Sequence, residues 1–146
     1  MKTLFATTND PLLTLLRLVL GVVFFAHGAQ QTLGWFGGNG FHGTMEFFTH
    51  AVGIPTVFAF LAIMSLFLGG LGLIVGFLSR IAAFGIAATM LVAAVKVHLA
   101  VGFFMNWSGT QKGEGYEYHL LVLAIAIMIM VRGAGALSID RAIAKA

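Results

Sequence analysis

The chain has 146 residues, of which 60% are hydrophobic and only 9% are charged. Soluble domains carry about 25% charged residues, so this composition excludes a soluble enzyme and a disordered chain. The formal net charge of +3 comes from eight Lys and Arg scattered along the chain, which excludes the basic stripe that a nucleic-acid partner requires. The composition is typical of an integral membrane protein, so membrane lipid is an expected partner.

The first predicted helix covers residues 11–34. Asp10 suits the N-cap, and Pro11 suits the first helical position, where a missing N–H costs nothing. A cleaved signal peptide is the alternative, because Lys2 precedes this apolar run. The charges of Asp10 and Arg17 break the signal-peptide pattern and favour a retained helix.

The middle of the chain predicts a loop, a short interfacial helix and a second membrane helix. Residues 34–40 are too rich in glycine for a comfortable helix. Residues 41–53 mix aromatic and polar side chains and indicate an interfacial segment. Residues 55–78 contain no formal charge, and the glycines between 69 and 76 allow a neighbouring helix to approach closely.

Two further membrane helices are predicted at 81–105 and 116–132, joined by a polar loop. Ser79-Arg80 makes so short a turn that the second and third helices must be antiparallel neighbours. The expected fold is therefore all-α: an integral membrane four-helix bundle with antiparallel up-down-up-down topology. Residues 1–146 form a single transmembrane domain in this interpretation.

The orientation follows from the basic residues beside each predicted span. Five of them fall with the termini and the second loop, namely Lys2, Arg80, Arg132, Arg141 and Lys145. Only Lys112 falls in the remaining loops. Both termini are therefore expected in the cytoplasm of a bacterial inner membrane.

Ionisable residues at membrane depth are functional candidates because their burial costs several kcal/mol without a partner. Arg17 lies near the cytoplasmic end, where snorkelling or a structural hydrogen bond explains it. His27, Lys96 and His98 share a depth about 5–8 Å towards the outer side. With polar residues near the same level, the candidate site comprises His27, Gln30, Gln31, Lys96, His98, Glu117 and His119.

These residue types suit several occupants. Their side chains can hydrogen-bond the carbonyls of a quinone or hold a haem. Three histidines with Glu117 could ligate a metal, but no recognised ligand spacing is present, and no metal is expected. A structural network, with Glu117 approaching Lys96 or His98, is the remaining alternative. The absence of Cys excludes an iron–sulfur cluster and disulfide exchange.

Several stretches of the sequence resemble those of one known family, and together they span nearly the whole chain. They are residues 17–21 (RLVLG), 24–31 (FFAHGAQQ), 34–40 (GWFGGNG), 106–107 (NW), 113–119 (GEGYEYH) and 133–140 (GAGALSID). These stretches closely resemble the DoxX family. Gln31 stands where relatives often carry Lys, so anion binding at that position is not expected here.

The resemblance implies a small four-helix protein of the bacterial inner membrane with a link to redox physiology. The related DoxD-type subunits belong to a thiosulfate:quinone oxidoreductase, and other relatives resemble partners in oxidative-stress assemblies. The function expected is an accessory or quinone-interacting subunit of such an assembly. The catalytic residues stay unassigned.

Two alternatives to that function remain open. A non-catalytic scaffold would use its membrane helices to bind a membrane protein partner or a second copy of the chain. An oligomeric transporter of small solutes is disfavoured, because one copy encloses little lumen and no inverted repeat is evident.

Overall fold

The computed structural model describes residues 2–145, which form helices joined by turns and loops, without a β-strand. The helices are α1 (Lys2–Phe5), α2 (Pro11–Leu33), α3 (Gly40–Glu46), α4 (Thr56–Val75), α5 (Ser79–Ala93), α6 (Glu117–Arg132) and α7 (Ile139–Lys145). A 3₁₀ turn covers Trp35–Gly37, and π-helical segments continue two helices, α3 through Phe47–Ala51 and α5 through Ala94–His98.

Three helices are long and apolar enough to cross a membrane: Pro11–Leu33, Thr56–Val75 and Ser79–His98. The fourth predicted span, 116–132, is a helix of 16 residues, Glu117–Arg132. At 1.5 Å per residue it is about 24 Å long, against about 30 Å for a hydrocarbon core. The fold is all-helical with three candidate membrane spans.

The helix predicted for 81–105 begins at Ser79 and ends earlier than expected, at His98. The backbone after it pairs with a distant part of the chain instead of continuing a helical ladder. The carbonyls of Gly102, Phe103 and Phe104 accept hydrogen bonds from the N–H groups of residues 115–117, at 2.9–3.1 Å. Residues 102–104 therefore run beside the start of α6.

The four long helices pack around one apolar core. Helix α2 packs on α4, α4 on α5, and α5 on α6. Core side chains come from all four helices and include Leu20, Phe24, Leu66, Leu73, Ile86, Met90, Val122 and Ile129. Two glycines allow the α2–α4 contact, since a Cβ on Gly28 would lie 2.5 Å from Phe67 N and one on Gly70 would lie 2.4 Å from Phe25 N.

The outward faces of the same helices are apolar. Phe58, Leu61, Phe84, Leu91 and Leu121 are large hydrophobic side chains that the protein leaves exposed. A continuous apolar exterior of this extent is unfavourable in water and ordinary in lipid. The exterior and the three candidate spans together indicate a membrane protein.

Arg17 organises the end of α4. Its side chain is only 1% exposed. Nη1 donates to the carbonyls of Leu73 and Ile74, which belong to the last turn of α4 and lack helical partners. Nε donates to Ala134 O at 2.8 Å, and Nη2 donates to Leu137 O at 2.6 Å. Arg17 is therefore a buried structural hydrogen-bond donor and does not snorkel.

Asp140 performs the complementary task at the start of α5. Its carboxylate, on a residue only 2% exposed, accepts from Leu78 N at 2.7 Å and from Ser79 N at 2.9 Å. Leu78 has a φ of 49°, a left-handed conformation that is costly for leucine. The hydrogen bond from Leu78 N to the Asp140 carboxylate stabilises this conformation. Gly76 has a φ of 73°, a left-handed conformation that suits glycine, and a Cβ there would stand 2.9 Å from Arg17 Nη1.

We predict that Arg17→Met destabilises the protein by about 3–5 kcal/mol, because it leaves several buried carbonyls without donors. Arg132→Met is the matched control, since Arg132 is exposed at the end of α6. The control should cost less than about 1 kcal/mol. Reversible unfolding in bicelles measures both, and equal losses would contradict the role assigned to Arg17.

Candidate functional site

The structure distributes the seven predicted site residues over the C-terminal half of α2, the π-helical end of α5 and the N-terminal end of α6. It brings His98 and His119 into contact. It places Gln30 and Gln31 on the wall of one cavity and Glu117 on the wall of another. His27 and Lys96 have exposed side chains.

The histidine pair joins the end of α5 to the first turn of α6. The two ring centroids are 4.2 Å apart. His98 Nδ1 lies 2.7 Å from the carbonyl oxygen of Glu114. A carbonyl only accepts, so Nδ1 carries the proton, and Nε2 of neutral His98 is a hydrogen-bond acceptor.

His119 is the buried member of this pair. It is 4% exposed, and its Nδ1 has no hydrogen-bond partner among residues 2–145. The hydroxyl of the adjacent Tyr118 is likewise buried without a partner in the described chain. Buried polar atoms are nearly always paired, so unpartnered atoms on two consecutive residues are compatible with a place where another molecule supplies the partner.

His98 and Lys96 lie on different faces of the end of α5, as residues two apart on a helix do, and the end of this helix is π-helical. Leu99 N donates to Ala94 O at 2.7 Å, across five residues, which widens the last turn of α5. His98 then lies against α6, whereas the Lys96 side chain is exposed. Single π-turns of this kind are frequent at functional sites.

Glu117 binds the loop and not the expected cations. Its Oε1 accepts a hydrogen bond from Met105 N at 2.9 Å. Glu114 Oε2 accepts similarly from Asn106 N at 2.6 Å. The expected approach of Glu117 to Lys96 or His98 is replaced by these backbone bonds, because residues 102–105 fold back beside the start of α6.

An apolar cavity of about 320 Å³ lies in this corner, and we call it the Trp107 cavity. Its lining is Phe103, Met105, Trp107, Glu117, Tyr118, Leu120 and Leu121. Sequence reasoning found Glu117 but missed Tyr118 and Phe103 as site residues. The clustering of aromatic residues between 103 and 118 is the signal that could have found them.

A second cavity, of about 300 Å³, lies at the end of α2, and we call it the Gln30 cavity. Its lining is Gln30, Gln31, Gly38, Asn39, Thr44, Phe47 and Phe48. Gln31 Oε1 is buried without a hydrogen-bond partner in residues 2–145. The loop and interfacial helix that supply Asn39 and Thr44 close this cavity.

No group of three His, Cys, Asp or Glu side chains that could hold a metal ion occurs among residues 2–145. His27 lies apart from the histidine pair in its contacts, with its ring 6.1 Å from that of Phe24.

The fold and these cavities define a helical membrane protein with polar groups gathered near one end of its spans. The DoxX family model matches residues 12–99, which is more than half of the chain, and the chain belongs to the DoxX family. The match includes His27, Gln30, Gln31, Lys96 and His98 and stops before α6.

A curated relative is "Putative oxidoreductase CatD" of Bacillus subtilis (strain 168). It is 30% identical over 92 residues, which cover 63% of this chain and 63% of the relative. The chain thus spans less than two thirds of the length of that relative. The comparison with solved structures gives no significant match.

Proposed function

We propose that this protein is an accessory subunit of a redox assembly in the bacterial inner membrane, and that it binds the head group of a quinone in the Trp107 cavity. The observation that carries the proposal is one unpartnered buried hydroxyl on a residue that lines an apolar cavity. Tyr118 lines that cavity, its hydroxyl lacks a partner within residues 2–145, and its ring lies 5.8 Å from that of His119.

The cavity suits a quinone by size and by lining. Small-molecule sites measure about 300–1,000 Å³ and combine apolar walls with a few placed polar groups. The walls here are aromatic and aliphatic apart from Glu117 and the Tyr118 hydroxyl. A quinone carbonyl needs one donor, and the Tyr118 hydroxyl can supply it.

The residues around the cavity have separable roles in this proposal. Tyr118 orients the ring carbonyl. Glu117 holds residues 102–105 against α6 through Met105 N and so shapes the wall. The His98–His119 pair is the proton-exchanging group in this proposal, because a neutral imidazole has one ring nitrogen that can accept a proton and one that can donate one.

Electron transfer requires a partner in this scheme. The chain has no Cys, so neither a thiolate nor an iron–sulfur cluster can carry electrons within it. The Bacillus subtilis relative carries the name "Putative oxidoreductase CatD", which supports a redox role for this chain. The partner supplies or accepts the electrons, and this chain supplies the membrane site.

We further propose that α6 is a fourth membrane crossing and completes an antiparallel bundle as a single domain. Glu117 and Arg132 are its end residues, and the 14 residues between them carry no Asp, Glu, Lys or Arg. Its packing on α5 supports this arrangement. The basic residues at 80, 132, 141 and 145 then lie on the cytoplasmic side with both termini.

Cysteine labelling tests this topology without background, because the native chain has no Cys. Cysteines at Asn39 and Lys112 should react with a membrane-impermeant thiol reagent in spheroplasts with an intact inner membrane. A cysteine at Lys145 should react only after permeabilisation. All three side chains are exposed, so accessibility does not differ by burial. Reaction of the Lys145 position in intact spheroplasts would contradict the orientation.

Quenching of Trp107 fluorescence tests quinone binding, because Trp107 lines the cavity and is 86% exposed. In a Trp35→Phe background, titration with a decyl-tailed benzoquinone should give saturable quenching in bicelles. Tyr118→Phe should weaken binding by about three- to tenfold, through loss of one hydrogen bond.

Tyr116→Phe is the matched control for that titration. Tyr116 precedes α6, and its ring packs against Phe103, but it does not line the cavity. Quenching that rises linearly with quinone in every variant would reflect simple partition into lipid. That result would reject the quinone site and favour the scaffold alternative.

A further inference from the structure

The Gln30 cavity has a different chemistry from the Trp107 cavity. Four of its lining side chains, Gln30, Gln31, Asn39 and Thr44, are neutral hydrogen-bonding groups. None of its lining residues is charged. The other side is formed by the rings of Phe47 and Phe48, whose centroids are 6.0 Å apart.

The polar groups on this wall have unused hydrogen-bonding capacity. Gln31 Oε1 is buried and has no donor among the described residues. Gln30 Nε2 makes only a long contact of 3.5 Å to Phe36 O. The Asn39 side chain caps no N–H of α3, although Asn39 is the residue before that helix. Thr44, at 6% exposed, is buried beside them.

These groups specify what kind of ligand fits. The unpartnered Gln31 oxygen requires a donor, while the amide nitrogens require acceptors. A quinone offers acceptors only and would leave Gln31 Oε1 without a hydrogen-bond donor, which is unfavourable for a buried polar atom. A ring with hydroxyl groups around its edge offers both functions, and its apolar face can lie against the phenylalanine rings.

The local backbone holds this cavity in shape. Gly38 packs so closely on α2 that a Cβ there would lie 2.2 Å from Gln30 O. Phe47 and Phe48 begin the π-helical segment Phe47–Ala51, a conformation often found at functional sites. A volume of about 300 Å³ is at the lower end of the range for small-molecule pockets, so it suits one ring and not several.

We propose that the Gln30 cavity binds a neutral sugar ring, supplied either as a free monosaccharide or as the head group of a glycolipid. The cavity is about 20 Å along α2 from Arg17, at the opposite end of the helix. Its chemistry is separate from that of the quinone site, and neither proposal depends on the other.

Fluorescence of Trp35, which begins the turn beside this cavity, gives the test in a Trp107→Phe background. The probes are glucose, methyl β-glucoside and N-acetylglucosamine, followed by phosphatidylcholine bicelles containing monoglucosyl diacylglycerol. At least one probe should give a saturable change. Binding of free sugars identifies the soluble source, whereas saturation only with the glycolipid identifies the lipid source.

Gln31→Leu should weaken that binding by about three- to tenfold, because it removes one hydrogen-bond acceptor. It should leave thermal stability equal or higher, since it also removes an unpaired buried oxygen. Gln111→Leu, in the exposed loop, is the matched control and should change neither. Three results would each overturn the proposal: no saturable change with any probe, equal binding by Gln31→Leu, or stronger saturation by decyl-tailed benzoquinone.

Discussion

The buried guanidinium of Arg17 is the interaction on which the arrangement of the helices depends. A cation inside a low-dielectric helical protein is costly unless its donors are satisfied, and here backbone carbonyls from two parts of the chain satisfy them. The same carbonyls would otherwise be unpaired at the end of α4 and in the segment before α7. One side chain therefore satisfies both its own buried donors and these carbonyls, and it joins α2 to the end of α4 and to the segment before α7.

Asp140 extends this constraint to α5. Its carboxylate accepts hydrogen bonds from Leu78 N and Ser79 N and so fixes the turn between α4 and α5. Its backbone N–H donates to Gly76 O, which holds α7 against the same turn. The polar residues of the protein thus divide into two sets. Arg17 and Asp140, near the termini, bind backbone groups and complete the fold, whereas Gln30, Gln31 and Glu117, at the opposite ends of α2 and α6, line the two cavities.

Local signals in the sequence predicted much of the helical architecture. Asp10 caps α2 as expected, accepting from Leu12 N at 2.9 Å, and the helix begins at Pro11. The early end of the third span was not predictable, because it depends on pairing of residues 102–104 with 115–117. Such pairing is a long-range backbone contact that hydropathy does not encode.

The sequence predicted the level of the candidate site residues along the helices, but it did not predict which of their side chains lie in contact. Counting residues along α2 and α5 placed His27 and His98 at similar levels, yet rotation about the helix axes decides which side chains meet. The π-turn at Ala94–His98 adds a residue to that turn and brings His98 onto His119. The hydrogen-bond partners of Arg17 are backbone carbonyls, which every residue carries, so the amino-acid sequence does not indicate which residues supply them.

A double-mutant cycle with Arg17→Met and Asp140→Asn measures the central constraint most directly. Because Arg17 binds the last turn of α4 and Asp140 binds the turn that directly follows it, the two losses of unfolding free energy in bicelles should be strongly non-additive, with a coupling of about 1–3 kcal/mol. Additivity within about 0.5 kcal/mol would show that the two charged groups stabilise the protein independently and would contradict a single network.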